Sequence, residues 1–196
     1  MRVCVVACAM KKESKILRER LETRCTHLVT GLGMNRTRTA LESYLRTRSP
    51  SILVFTGTAG QLDPRLKMGD VVFPRRWCLQ TGECFESDPA LVAFLRKHGV
   101  RISGTGVTVR IPVIKKQDRE RLHRSRGASI CDMESAAVLE VARSHGVPAV
   151  APKVVSDTAE TGILGFRREF EANVTRLSRY LDGLLRIVAE FNPGAG

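Results

Sequence analysis

The stretch ASICDMESAAVLEVARSHGVPAVAPKVVSD, residues 128–157, sets carboxylates at Asp132, Glu134 and Asp157 beside otherwise apolar segments. A carboxyl group held neutral by desolvation can donate a proton, and an ionised one can grip hydroxyl groups through its two accepting oxygens. Asp132 precedes a helical pattern over 133–145 that Gly146 would end. Its simplest role is to cap the free N–H groups of the first turn. Glu134 falls in that turn, where the helix dipole favours an acid, and Asp157 closes an apolar run. Chemistry requires that Glu134 and Asp157 share a pocket.

The elements that must position them alternate along the chain. Strand-like runs rich in Val, Ile and Thr occur at 2–8, 27–31, 51–56, 70–73, 105–111 and 147–155, and helical spacing at 11–22, 35–47, 88–98, 133–145 and 167–191. Such alternation predicts an α/β fold, one domain over residues 1–196, with a central mixed, largely parallel sheet flanked by helices. Ligands of such sheets bind beyond the carboxyl ends of strands. The loops there are CAMKKE (8–13), TGLGMN (30–35), TGTAGQLDP (56–64) and VSDTAE (155–160).

Composition narrows the classes. With 196 residues, 43% of them hydrophobic, the chain can bury one sizeable core. No apolar run approaches the roughly 18 residues needed to span a bilayer. The opening MRVCVVACAM reads as a buried strand and not as a signal peptide, because its apolar part is short and KKESKILRER follows without a cleavage site. Six cysteines form no CxxC pair and no zinc-type cluster, so they read as free thiols of a cytoplasmic protein without a metal. The net charge of +12 is spread over RTRTALESYLRTR, PRRW, KKQDRERLHRSR and FRREF. Without a basic stripe interleaved with aromatics, it reads as solvated helix faces more than as a nucleic-acid surface. A basic, non-catalytic α/β module that binds nucleic acid or an anionic ligand is the alternative from another class.

FTGTAGQLDPRLKMGDVV, CDMESAAVLEVARSHGVP and KVVSD, in this order and with AMKKE after the first strand, resemble the superfamily of purine nucleoside phosphorylases and methylthioadenosine/adenosylhomocysteine nucleosidases. The nucleosidase branch is the nearest, with similarity to the hopanoid-associated phosphorylase and futalosine hydrolase types. The resemblance implies a nucleoside phosphorylase-like fold, cleavage of the N-ribosidic bond of an adenine-type purine nucleoside, no cofactor, and a homo-oligomer. Breaking that bond leaves positive charge on the ribose and negative charge on the base, so a proton donor and a partner for the sugar are needed.

On the matching positions, Asp157 is the expected general acid, and Glu134 the ribose ligand with Met133 packed beside it. Thr58, Ala59, Gly60 and Ser156 are expected to approach base and sugar, where small residues let backbone come close. Glu13 matches the glutamate that positions the attacking water, which favours hydrolysis. Phosphorolysis remains the alternative: GLGMNR, through Gly33 and Arg36, offers backbone donors and a cation for a phosphate co-substrate. Three features depart from the pattern. Pro152 predicts a bulge or an irregular edge before the acid, Lys153 stands in place of an arginine, and the span 70–131 is short and lacks a clear aromatic to stack on the base, with TVRIP (108–112) near its place.

Overall fold

The computed structural model describes residues 4–21 and 24–192. The elements run β1 Cys4–Cys8, α1 Lys11–Leu21, β2 Thr26–Val29, α2 Met34–Leu45, β3 Ile52–Thr56, β4 Thr58–Gln61, β5 Val71–Val72, β6 Arg76–Leu79 and β7 Cys84–Glu86. There follow α3 Pro89–Lys97, β8 Thr105–Thr108, α4 Lys116–Arg126, β9 Ala128–Asp132, α5 Ser135–Ser144, β10 Ala149–Val150, β11 Lys153–Asp157 and α6 Gly162–Val188. The predicted strand positions 2–3 and helix position 22 lie outside the described residues. No helix among the described residues is long and apolar enough to cross a membrane.

Two sheets form. One, ordered β10-β3-β1-β2, is wholly parallel. Its central strands are apolar at almost every position because helices cover both faces. On one side α1 and α6 bury Leu17, Leu21, Val174, Leu177 and Leu181 against Val6 and Val54. On the other, α2 and α5 bury Leu41, Leu45, Leu139 and Ala142 with Leu53 and Phe55. Each such side chain contributes about 1.5–3 kcal/mol of burial. Along α6, Phe170, Val174, Leu177, Leu181, Leu184 and Val188 recur every three or four residues, so one stripe of this long helix closes the core.

The second sheet, β5-β11-β4-β9-β8-β6-β7, is mixed: β5, β7 and the β4–β9 pair run antiparallel. The expectation of largely parallel pairing is therefore met in the first sheet and only in part in the second. Two parallel neighbours step from one sheet to the other side by side. β3 passes into β4 through Gly57, and β10 passes into β11 through Ala151 and Pro152. Gly57 has φ 136°, and a Cβ there would lie 2.7 Å from Glu13 Oε1, so this turn accepts only glycine. Thr56 Oγ1 donates to the Pro152 carbonyl at 3.0 Å and ties the two crossings together.

This seam divides the strand expected over 147–155. Pro152 lies between sheets, where no ladder bond asks for its missing N–H. The irregularity comes later: Val155 pairs with Ala59 and Asp157 with Gly60, leaving Ser156 as an extra, bulged residue. A second correction concerns the cysteines. Cys78 and Cys84 stand opposite each other on antiparallel β6 and β7 and form a disulfide, while Cys4, Cys8, Cys25 and Cys131 are free. The sequence hid the pair because cross-strand partners of a hairpin carry no spacing motif.

Candidate active site

β1 and β3 end and β11 begins near the seam, and a cavity of about 340 Å³ opens there. Glu13, Thr58, Ala59, Gly60, Met133, Glu134, Ser156 and Asp157 all line it. Eight of the ten residues singled out in the sequence are thus brought together. Gly33 touches the site through its backbone only, and Arg36 is exposed and outside the lining.

Glu13 is the third residue of α1, and its carboxylate folds back over the start of that helix. Oε2 accepts from Met10 N–H at 3.1 Å, while Oε1 accepts from Thr58 N–H at 2.9 Å and Thr58 Oγ1 at 3.0 Å. Burial pushes its pKa up, against the opposing pull of the Lys153 ammonium and of these hydrogen bonds. A fixed, buried carboxylate of raised basicity suits a general base.

Asp132 ends β9, and α5 begins three residues later. From the strand its carboxylate still does the work of a cap, accepting from Ser135 N–H at 3.1 Å and from Ser135 Oγ at 2.5 Å. It also accepts from Thr108 Oγ1 at 2.9 Å and pairs with Lys153 Nζ at 3.1 Å, both side chains being about 2% exposed or less. Lys153 stands 4.0 Å from the centre of the Phe55 ring, whose face favours a cation. The lysine in place of an arginine is therefore a buried point charge with one carboxylate partner.

Glu134 occupies the N-cap position of α5, and its Oε1 accepts from Gly33 N–H at 2.7 Å. Gly33 has φ 87° at the start of α2, which turns its N–H toward this acceptor. Burial first, and then the Asp132 charge, push the Glu134 pKa up to about 7.

The bulge in β11 sets Ser156 and Asp157 on the cavity together, whereas a regular strand would send neighbours to opposite faces. Ser156 Oγ lies 2.9 Å from Asp157 Oδ1 and 3.2 Å from the Ala59 carbonyl, so its single proton serves one or the other. Asp157 Oδ2 accepts from Arg119 Nη2. An account of Asp157 based on an apolar strand end alone is thus incomplete, because a buried cation faces it.

Arg119 escaped the sequence reading, which placed KKQDRERLHRSR among solvated faces. It is the one buried residue of α4. The available signal was its spacing: Arg119, Leu122 and His123 lie on one face at three- and four-residue intervals, with arginine where an apolar anchor would stand. Phe166, near the start of α6, supplies the aromatic lining that the span 70–131 lacks; Trp77 within that span is wholly buried. Val109, Pro112, Val113 and Ile114 complete the wall, so TVRIP does border the site. Cys131 also lines the cavity, but burial raises its thiol to about 12, and it offers no nucleophile at neutral pH. No group of acids, histidines and cysteines able to hold a metal occurs among the described residues.

The chain belongs to the phosphorylase superfamily, whose family model matches residues 9–189. Its fold is similar to that of the 5′-methylthioadenosine/S-adenosylhomocysteine nucleosidase of Helicobacter pylori in complex with butyl-thio-DADMe-Immucillin-A, with TM-score 0.85 and 18% identity, covering 97% of this chain and 99% of that one. A futalosine hydrolase mutant of the same organism gives TM-score 0.85 at 17% identity over 97% and 100% of the two chains. The Neisseria meningitidis methylthioadenosine/adenosylhomocysteine nucleosidase with methylthio-immucillin-A gives 0.80 at 20% identity, again over 97% and 100%. At such identities these are likenesses of fold.

Proposed function

We propose that this protein hydrolyses the N-ribosidic bond of a purine nucleoside of the adenine type. One observation carries the reading: Glu13, Glu134 and Asp157, from three separate elements, line a single cavity sized for a small ligand. Glu134 would accept from the ribose hydroxyls and favour the cationic sugar. Glu13 would orient a water and take its proton as the water attacks C1′. Asp157 would protonate the departing base, a step of the kind that contributes about 10²–10⁴ in rate, or roughly 3–5 kcal/mol of barrier. Phe166 and Met133 would pack on the apolar faces of base and sugar. The similar nucleosidases act, by name, on methylthioadenosine and adenosylhomocysteine, which supports adenine as the base.

Hydrolysis is favoured over phosphorolysis by the charges. A phosphate site needs free cations and backbone donors. Here the Gly33 N–H is given to Glu134, Arg36 is exposed, and the two cations lining the cavity, Lys153 and Arg119, are engaged by Asp132 and Asp157.

The test is incubation with methylthioadenosine, adenosylhomocysteine, inosine and aminodeoxyfutalosine, each with and without phosphate, with free base measured. Adenine released without phosphate is the expected result. A strict phosphate requirement would replace hydrolysis by phosphorolysis. Silence on every nucleoside, together with salt-sensitive retention on random DNA, would favour the non-catalytic basic module.

A further inference from the structure

Arg119 is an unusual residue to find at the base of a cavity. α4 is otherwise mostly polar and exposed or half-buried, yet its arginine reaches inward until the side chain is 5% exposed. Nη1 donates to the Gln61 carbonyl at 3.0 Å and to the Asp157 carbonyl at 3.3 Å, and Nη2 donates to Asp157 Oδ2. Its Nε is buried and has no hydrogen-bond partner among the described residues. A guanidinium taken from water and left partly unsatisfied costs stability. Docking the helix would be served better by a leucine at this position.

We propose that Arg119 is a positioning residue for the leaving-group step, holding Asp157 and stabilising the negative charge that its carboxylate acquires as it gives up its proton. The inference rests on the reading of Asp157 as the general acid. In that step the C1′–N9 bond breaks and its electron pair passes into the purine ring. The base takes the Asp157 proton, C1′ bonds to the water oxygen, and the water proton goes to Glu13. The step consumes the proton that Asp157 delivers and leaves a carboxylate, and solvent exchange returns the Glu13 proton to it before the next turnover. A cation fixed beside Oδ2 in a site shielded from water is attracted most strongly to the anionic product state. Its effect therefore falls on the barrier more than on substrate binding. The bidentate grip on the side chain and main chain of one residue also fixes the direction in which Asp157 points.

A purely structural role makes a different prediction. Arg119 anchors α4, and the segment just before that helix supplies Val109, Pro112, Val113 and Ile114 to the cavity wall. If docking that wall were its whole purpose, every substrate would suffer alike from its loss. The two cases separate with 4-nitrophenyl riboside, whose leaving group departs as a stable anion and needs no proton.

In Arg119→Ala, kcat on the best purine nucleoside should fall about 100-fold or more, while kcat on 4-nitrophenyl riboside stays within about threefold of the parent enzyme and KM for the purine nucleoside changes little. Guanidinium chloride, compared with sodium chloride at the same concentration, should restore part of the purine activity only. Arg119→Lys, which keeps the charge, should lie between the two. An equal loss on both substrates, or no loss on either, overturns the proposal. If the unsubstituted enzyme releases no base from any nucleoside, the functional reading itself has failed, and that outcome is distinct from both.

Discussion

The two sheets differ in what they ask of their residues. The parallel sheet is built from runs such as Val5-Val6-Ala7 and Leu53-Val54-Phe55, all buried, and its job is cohesion. The mixed sheet is built from TAGQ, RWCL, CFE, ASICD and KVVSD, short strands that mix glycine, cysteine and charge, and it carries Gly60, Asp132 and Asp157 to the cavity. Stability and chemistry are thus divided between adjoining sheets. Glu13, in the first turn of α1, and Thr58, at the start of β4 beside the seam, join the two.

The largest effects should follow from changing the mixed sheet's acid. Asp157→Asn should lower kcat by about 10²–10⁴, a loss that persists when rates are normalised to the folded fraction, because buried Arg119 also loses its charged partner. A normal rate in that variant would move the acid elsewhere. Next, Lys153→Ala leaves Asp132 buried without its cation and should cost about 3–5 kcal/mol in denaturant unfolding; pairing Lys153→Met with Asp132→Asn should recover most of the loss. On the other side of the comparison, Leu53→Ala should cost about 2–5 kcal/mol while the folded fraction keeps its kcat. A Leu53→Ala enzyme that is stable but slow would erase the division of labour.

A smaller effect concerns acidity. Glu134 titrates at about 7, so below that value it is mostly neutral and loses acceptor capacity for the ribose hydroxyls. KM for the nucleoside should therefore rise as pH falls from about 7.5 toward 6, and Glu134→Gln should flatten that dependence, as initial rates across this range would show. The smallest expected change is at the far edge of the mixed sheet. Reducing Cys78–Cys84, which closes a short hairpin, should cost about 2 kcal/mol and lower the melting temperature by several degrees with little change in kcat.

The same division explains what could be read from sequence. β1, β3 and every helix but α4 were legible because burial on one stripe or on two faces imposes periods that composition displays, and α4, with arginine as its one buried residue, shows no such stripe. β4, β6, β7 and β9 were not, since strands of three to five residues that mix glycine, cysteine and charged side chains present neither a continuous apolar run nor alternation. The carboxylates Glu13, Glu134 and Asp157 were found through motifs, which record local geometry. Their cationic partners were not: Lys153 showed only as a departure from a pattern, and Arg119 lies 38 positions from the acid it meets. Pairing of that kind is decided by the tertiary path of the chain, which no window of sequence contains.

The seam at Ala151 and Pro152 has a consequence for how the gene can change. Along a strand each added or lost residue exchanges the faces. A single-codon insertion or deletion at 151–152 would therefore turn Lys153, Ser156 and Asp157 out of the cavity, even with every side chain retained. Single-codon changes in the exposed stretch 46–49, or at the mostly exposed hairpin tip 80–83, alter no register that the site depends on. Length variation among descendants of this chain should gather at those two places and be missing from the seam. The spacing between Val150 and Asp157 should then be kept as strictly as the residues themselves.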